Sequence, residues 1–453
     1  MKPTWISSSI FYHIYPLGLC GAPEQNDFST PPVDRLDKLH AWIDHLQALG
    51  VNAVYLGPVF ESSSHGYDTA DYYQVDRRLG TNNTLTRLSA ALHERGIRLV
   101  LDAVFNHVGR DFWAFQDVLE HGAASTYRDW FHNLRFEGQS PYGDPFQYDA
   151  WNGHYSLVKL NLANPDVRAH LFDAIGTWID TFNIDGLRLD AADCLDADFL
   201  RSLTAYTRTK CTDFWLMGEI IHGDYTRWAN PDMLHSVTNY ECFKGLYSSH
   251  NDANYHEIAY ALNRQFGDGG LYENLLLYNF VDNHDVNRVA SLLNDPAHLR
   301  PLYMLLFTMP GIPSIYYGSE WGLAGEKNGG DDSPMRPRIE LPAARANPPH
   351  PALSGLLARL AAIRKASPAL QHGGYQQIHV SGEQFAFQRS SNGNVVITSL
   401  SAASEQAQLR LPVPSGTIGA YDLINEEVCA ANEGMLSVTI PPHGGRILQL
   451  QFD

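Results

Sequence analysis

The chain has few of the features that would place it outside ordinary aqueous, reducing surroundings. Only 5 of its 453 residues are cysteine, an odd number without the paired spacing of a structural metal site, which argues against a disulfide framework. No apolar run is long enough to cross a bilayer, because each strong one is cut by glycine, proline or charge. The first residues, "MKPTWISSSIFYHIYP", carry no basic segment followed by a long apolar core and a small-residue cleavage site. These absences predict a cytoplasmic protein with free thiols. Basic residues are also scarce, 32 Lys and Arg against 50 Asp and Glu, giving a formal charge of -18. Such a surface repels nucleic acid and anionic membrane at long range, so neither is expected as a partner; its simplest role is solubility.

What is present is a rhythm of helix, short break and apolar strand. Leu36, Leu39, Trp42, Ile43, Leu46 and Leu49 fall on one stripe and predict a helix from Val33 to Gly50. "VNAVYLGPVF" (51–60) comes next, apolar enough to be buried on both faces, as strands of a parallel sheet are. The phrase recurs as a helix at 84–95 before "IRLVLDAVFNH" (97–107), and as a helix at 166–182 before "FNIDGLRLDAADC" (182–194). Further strand candidates lie at 10–15, 214–220, 236–241, 275–285 and 311–318. Eight strands with intervening helices predict an α/β fold, a closed (β/α)8 TIM barrel.

Residues 108–164 lack this rhythm and are rich in Gly, Asn, Asp and aromatics. They predict a small lobe inserted after strand three, leaving 1–107 and 165–373 to the barrel. After Pro368 apolar and polar residues alternate between turn signals such as Ser-Asn-Gly-Asn. That pattern predicts a C-terminal antiparallel β domain, a β-sandwich, over 374–453.

Barrels of this kind work at the C-terminal ends of their strands. Four apolar runs end in polar residues: Asp102, Asn106 and His107; Arg188 and Asp190; Glu219; and Asn283, His284 and Asp285. Arg188 and Asp190 stand two apart, on one face of a strand. Three carboxylates, Asp190, Glu219 and Asp285, suit glycoside cleavage, where one attacks or stabilises an oxocarbenium-like centre and another donates a proton. Arg188 is expected to lower the pKa of Asp190, and the apolar "FWLMG" before Glu219 to raise that of the acid. Tyr67, Trp113, Trp151 and Tyr155 supply rings able to cover sugar faces. A metal reading of His107, Asp190, His222, His284 and Asp285 is weaker, because no two of these histidines have short ligand spacing and Arg188 repels a cation. No cofactor and no catalytic metal are expected.

"DAVFNH" (102–107), "GLRLDAAD" (186–193), "GEI" (218–220) and "FVDNHD" (280–285), in that order, resemble the four signature regions of the α-amylase family of retaining glycoside hydrolases. "GVNAVYLGPVF" (50–60), "GIPSIYYGSE" (311–320) and "HGYDTADYY" (65–73) resemble accessory segments. The resemblance implies Asp190 as nucleophile, Glu219 as general acid and base, and Asp285 as a binder of sugar hydroxyls that stabilises the transition state. It implies that Tyr67 stacks under the sugar whose bond breaks, that His107, Arg188 and His284 hold that sugar, and that Asp102 is a support. "LVKLNLANPDVR" (157–168) resembles the Lys-Leu-Asn segment of the neopullulanase and cyclomaltodextrinase branch, which marks Lys159 as a subsite residue.

Strand one is expected to begin by about Ile10, so that branch's extra N-terminal β domain is not expected, which weakens the expectation of its domain-exchanged dimer and leaves the oligomeric state open. Where many relatives carry a calcium-binding His four residues after the nucleophile, this chain has Cys194, a poor ligand for a hard cation. No calcium is expected there, whereas Asp331 and Asp332 are candidates for another site. The implied partner is an α-glucan or maltooligosaccharide, linear or cyclic, cut at α-1,4 bonds with α-1,6 as a further candidate. A transglycosylase using the same residues is the alternative. A non-catalytic carbohydrate-binding protein on the same barrel is the third reading.

Overall fold

Strands of the central sheet form where apolar side chains alternate between two buried faces. In the computed structural model, which describes residues 2–453, eight short parallel strands line up: β1 (Phe11–Ile14), β2 (Ala53–Leu56), β3 (Arg98–Ala103), β4 (Gly186–Leu189), β5 (Trp215–Gly218), β6 (Ser236–Val237), β7 (Tyr278–Asn279) and β8 (Ile312–Tyr316). Their order is β6-β5-β4-β3-β2-β1-β8-β7, and a parallel bridge from Thr238 to Tyr278 closes the ring. Leu99, Leu101, Leu187 and Leu189 point outward into the large core. Phe11, Ala53, Val100, Trp215 and Ile312 fill the lumen as a separate apolar cluster. One pleat further along β3, Asp102 stands opposite Arg188 of β4, so the strand that keeps the lumen apolar also delivers charge to its mouth.

The expected helix over 33–50 is a 3-10 stretch, Arg35–Trp42, running into a short α-helix, Ile43–Ala48. The cause is visible in the spacing: Leu36, Leu39 and Trp42 are three apart, the 3-10 repeat, and all three are buried. The sixth and seventh strands shrink to two residues each. Asn239 accepts from the Cys242 amide and starts a helix at once. Beyond β7, the Asn283 side chain accepts from the amides of Asp285 and Val286, turning the chain across the mouth.

A hairpin of Phe60–Ser62 and Thr69–Val75 comes after β2, where the sequence pattern predicts only a strand end and a loop. Its connection carries Tyr67 and is fastened by buried Arg78, whose guanidinium donates to Asp76, Ser62 and the carbonyls of Pro23, Glu24 and Ser64. Between β3 and the helix Pro165–Phe182, the segments His107–Gly109, Ala150–Trp151 and His154–Lys159 make a small antiparallel sheet beside the helix Trp113–His121.

The C-terminal strands are β9 (Gly374–Val380), β10 (Gln384–Ser391), β11 (Asn394–Ser401), β12 (Ala407–Pro412), β13 (Thr417–Asp422), β14 (Glu427–Asn432), β15 (Met435–Ile440) and β16 (Gly444–Phe452), all in one antiparallel sheet. Period two divides their side chains: Phe385, Phe387, Val396, Leu400 and Ile447 join the barrel's core. Ala386, Ile397, Leu411, Leu436, Val438 and Leu448 form a second core within the domain. All five cysteines are unpaired. Among the described residues, no helix is long and apolar enough to cross a membrane.

Candidate active site

Arg188 is the hub of the barrel mouth. Buried to 3% exposure, it donates from Nη1 to both Asp102 oxygens at 2.9 and 3.1 Å and to Asp190 Oδ1 at 2.9 Å, while Nη2 lies 2.9 Å from Glu219 Oε2. Its planar fork makes this possible, since two nitrogens of fixed geometry serve acids on three different strands. Asp102 is a support: it also accepts from Tyr55 at 2.6 Å and from Tyr67 at 3.0 Å. Tyr55 and Tyr67 place their rings 6.0 and 5.9 Å from the guanidinium carbon, adding cation–π attraction.

Asp190 and Glu219 meet across a strained turn. Ala191 holds φ at 43°, in the left-handed region that costs a residue with a Cβ, and this aims its amide at Glu219 Oε2, 3.1 Å away. Burial, the largest influence, pushes both carboxyls above their ordinary range, and Arg188 pulls both down. For Asp190 the repulsion of Glu219, Asp102 and Asp285 adds to burial, so its pKa stays well above normal. This corrects the expectation that Arg188 would set it low: one guanidinium shared among three acids does not offset desolvation of all of them. The two acids titrate as a pair, able to hold one proton between them.

Asp285 has the opposite character. Its side chain is 38% exposed, and although desolvation opposes ionisation, His284, Arg336 and Arg188 together hold its carboxyl well below the usual range. His284 Nε2 lies 3.0 Å from Asp285 Oδ2 and also contacts the Tyr67 hydroxyl; the Tyr67 and His284 rings stack at 5.4 Å and 9°. Arg336 donates to Asp285 Oδ1 at 3.0 Å and to the His284 carbonyl at 2.9 Å.

His107 is pushed down to about 3 by burial, hence neutral. The Asn106 amide nitrogen sits 3.2 Å from its Nδ1, which leaves the ring proton on Nε2, 3.9 Å from Asp190 Oδ2 and without a hydrogen-bond partner. His284 Nδ1 is likewise buried and unpartnered. Two idle polar atoms flanking the carboxylates are what a polyhydroxylated ligand would satisfy.

A profile described as alpha amylase, catalytic domain, matches residues 36–351. The chain belongs to the α-amylase family of glycoside hydrolases. It is 32% identical over 462 residues to a cyclomaltodextrinase of Geobacillus thermopakistaniensis, covering 98% of this chain and 77% of that one. It is 34% identical over 347 residues to an intracellular maltogenic amylase of Bacillus subtilis, covering 72% and 57% respectively. Among solved structures, cyclic alpha-maltosyl-(1→6)-maltose hydrolase from Arthrobacter globiformis superposes with a TM-score of 0.82 at 27% identity, over 100% of both chains.

Within this α-amylase-family barrel the expected residues are not all equally placed. Asp190, Glu219, Asp285, Arg188, His107, His284 and Tyr67 share one connected network. Lys159 stands at the rim, opposite His107 in the strand register and close enough to Cys194 to act on its thiol. A cation at that position disfavours a second one beside Cys194. Of the aromatic candidates, Trp151 packs its ring 5.7 Å from that of His107. Trp113 is taken up by Tyr127, Trp130 and His170, and Tyr155 by Tyr148. His222 lies exposed in the loop after β5.

Asp331 and Asp332 do not pair as cation ligands. Asp331 turns to Ser333, whereas Asp332 bonds Lys327 and Arg336. Arg336 is the residue that sequence reasoning missed. It sits in "SPMRPR", a loop with no strand-end pattern, and the one signal that could have found it is the need of a third carboxylate for a counter-charge.

Proposed function

We propose that this glycoside hydrolase is a retaining enzyme of maltooligosaccharides and cyclic maltodextrins, cutting α-1,4 bonds, with α-1,6 bonds as a second linkage. The observation that carries the reading is Arg188, which holds Asp190 and Glu219 side by side on one guanidinium. Asp190 attacks the anomeric carbon as the glycosidic bond breaks, and Glu219 gives its proton to the departing oxygen. Water then adds to the anomeric carbon, Glu219 takes a proton back, and Asp190 leaves. Asp285, ionised and facing the opening, holds sugar hydroxyls. Tyr67 stacks on the reacting sugar, His107 and His284 supply the idle ring nitrogens, and Lys159 reaches a neighbouring unit from the rim.

Support for the substrate class comes from the relative named cyclomaltodextrinase and from the Arthrobacter hydrolase, whose cyclic substrate contains an α-(1→6) linkage. A cytoplasmic location is supported by the relative named as intracellular. A product time course with β-cyclodextrin, maltotriose, pullulan and starch tests the reading. Ring opening and panose release that outpace starch cleavage are expected. Preferential starch cleavage would overturn the substrate class, and products longer than maltotriose throughout the reaction with maltotriose alone would make transglycosylation the main activity.

Arg336→Ala separates positioning from folding at Asp285. Removing the guanidinium takes away one of the cations that place Asp285 and keep its pKa low, so that pKa rises, while the acid limb of the kcat/KM profile, set by the raised Asp190, stays where it is. At neutral pH a loss of about 100-fold in kcat/KM is expected from the displaced carboxylate. A lower Tm with kcat/KM within about threefold of wild type would mean that Arg336 is only a loop fastener.

A further inference from the structure

Outside the catalytic network, three side chains from the two domains converge on one point. Asp295 opens the 3-10 turn Pro296–His298, using Oδ1 to accept from the Ala297 amide at 2.8 Å and leaving Oδ2 free for the cluster. His298, at the end of that turn, is only 8% exposed. Its Nε2 lies 3.0 Å from the carbonyl oxygen of Ala402, in the C-terminal domain. A carbonyl only accepts, so Nε2 bears the proton and Nδ1 presents a bare lone pair, buried and without a partner. His443 comes from the turn between β15 and β16, held at φ 42° with its amide donating to the Ala403 carbonyl at 2.9 Å. Its Nδ1 is also buried and unpartnered, and its Nε2 lies 3.8 Å from Asp295 Oδ2. The two imidazoles meet at 4.9 Å.

We propose that Asp295, His298 and His443 form a binding site for a divalent transition ion of the Zn2+ class, tying the C-terminal domain to the barrel. One ligand atom from each residue lies within 4.8 Å of the others, the one such grouping of three or more among the described residues. Two imidazole nitrogens and one carboxylate suit a borderline ion and not calcium, which takes oxygen ligands. Metal-bound histidines usually donate their other ring N–H to a carbonyl or carboxylate, as His298 does to Ala402; the bond fixes the tautomer and raises the basicity of the ligating nitrogen. Metal–ligand bonds of about 2.0–2.1 Å place tetrahedral ligand atoms about 3.4 Å apart. The site therefore closes by small movements of Asp295 and His443, the partly exposed members, around the fixed His298, with water as fourth ligand. Nearby His250 is not available, because its Nδ1 faces the Leu246 carbonyl at 2.7 Å and its Nε2 the Tyr255 hydroxyl at 3.0 Å.

The test uses the full chain, stripped with chelator and dialysed, titrated with Zn2+ by calorimetry and melted with and without the metal. One Zn2+ per chain at micromolar affinity or tighter is expected, with a rise in Tm, because an ion that binds only the folded, docked state stabilises it by mass action. His443→Ala and Asp295→Asn, changes at partly exposed positions outside the catalytic network, are expected to weaken binding at least about tenfold, abolish the rise and leave glycosidase activity unchanged. The chain has 20 histidines, so Zn2+ bound equally well by both variants would locate it elsewhere and overturn the proposal. Failure of the wild type to bind at millimolar metal would do the same, and binding without a rise in Tm would overturn the tie between domains.

Discussion

Asp190→Asn is expected to lower kcat on β-cyclodextrin by about 10^4-fold or more while leaving Tm unchanged or higher. The first effect follows from the proposed role of Asp190 as nucleophile: the variant lacks the carboxylate that would form the bond to the sugar, a loss other members of a catalytic set do not make good. The second comes from the electrostatics of the mouth. Burial and three neighbouring carboxylates raise the pKa of Asp190, so the folded chain keeps a proton there at a pH where the unfolded chain has released it. Fewer protons in the unfolded state mean that stability falls as pH rises, from about pH 4, the unfolded value, until the folded group ionises. An amide at this position does not titrate and is spared that cost, while Arg188 retains Asp102 and Glu219. The Tm advantage of the variant is therefore expected to grow from about pH 4 towards neutrality. Initial rates and melting curves across that range check both parts, and activity within tenfold of wild type would remove Asp190 from the nucleophile's role.

The parts of the molecule that sequence disclosed best are those where one local pattern has one structural meaning. Apolar runs between turn signals located six of the eight barrel strands well, because a parallel strand buried on both faces has few other sequence forms. The weak strands, β6 and β7, are shorter than their apolar runs; Asn239 just beyond β6 caps the next helix, and an Asn in a strand-like run carries no visible sign of that. The 3-10 stretch at 35–42 was legible in principle from the spacing of Leu36, Leu39 and Trp42, but the same residues also fit an α-helical stripe. At the site, charge pairs two apart on a strand identified Arg188 and Asp190. Arg336 was hidden because its partner, Asp285, is 51 residues away and the loop between them has no regular pattern. The sign of the Asp190 shift was hidden for a different reason: it depends on how many acids share Arg188, which only packing decides.

Glu219→Gln is expected to divide the two chemical steps. Its carboxyl is raised by burial first and by repulsion from Asp285, which favours the protonated form that the leaving oxygen needs, and loss of general acid catalysis costs about 10^2- to 10^4-fold. An α-glucosyl fluoride needs no proton to depart, so formation of the glycosyl enzyme from that substrate should be far less impaired than cleavage of maltotriose. Breakdown of the intermediate by water still lacks its base. Azide, which attacks without giving up a proton, should therefore restore turnover and yield the α-glucosyl azide. The pH profile carries an independent sign. The basic limb, where the wild type loses the acid form of Glu219, should vanish for the fluoride substrate. The acid limb should move to lower pH, because Glu219 no longer raises Asp190 by repulsion. Equal losses on the fluoride and on maltotriose, with no azide product, would mean that Glu219 orders the site around Arg188 without transferring a proton.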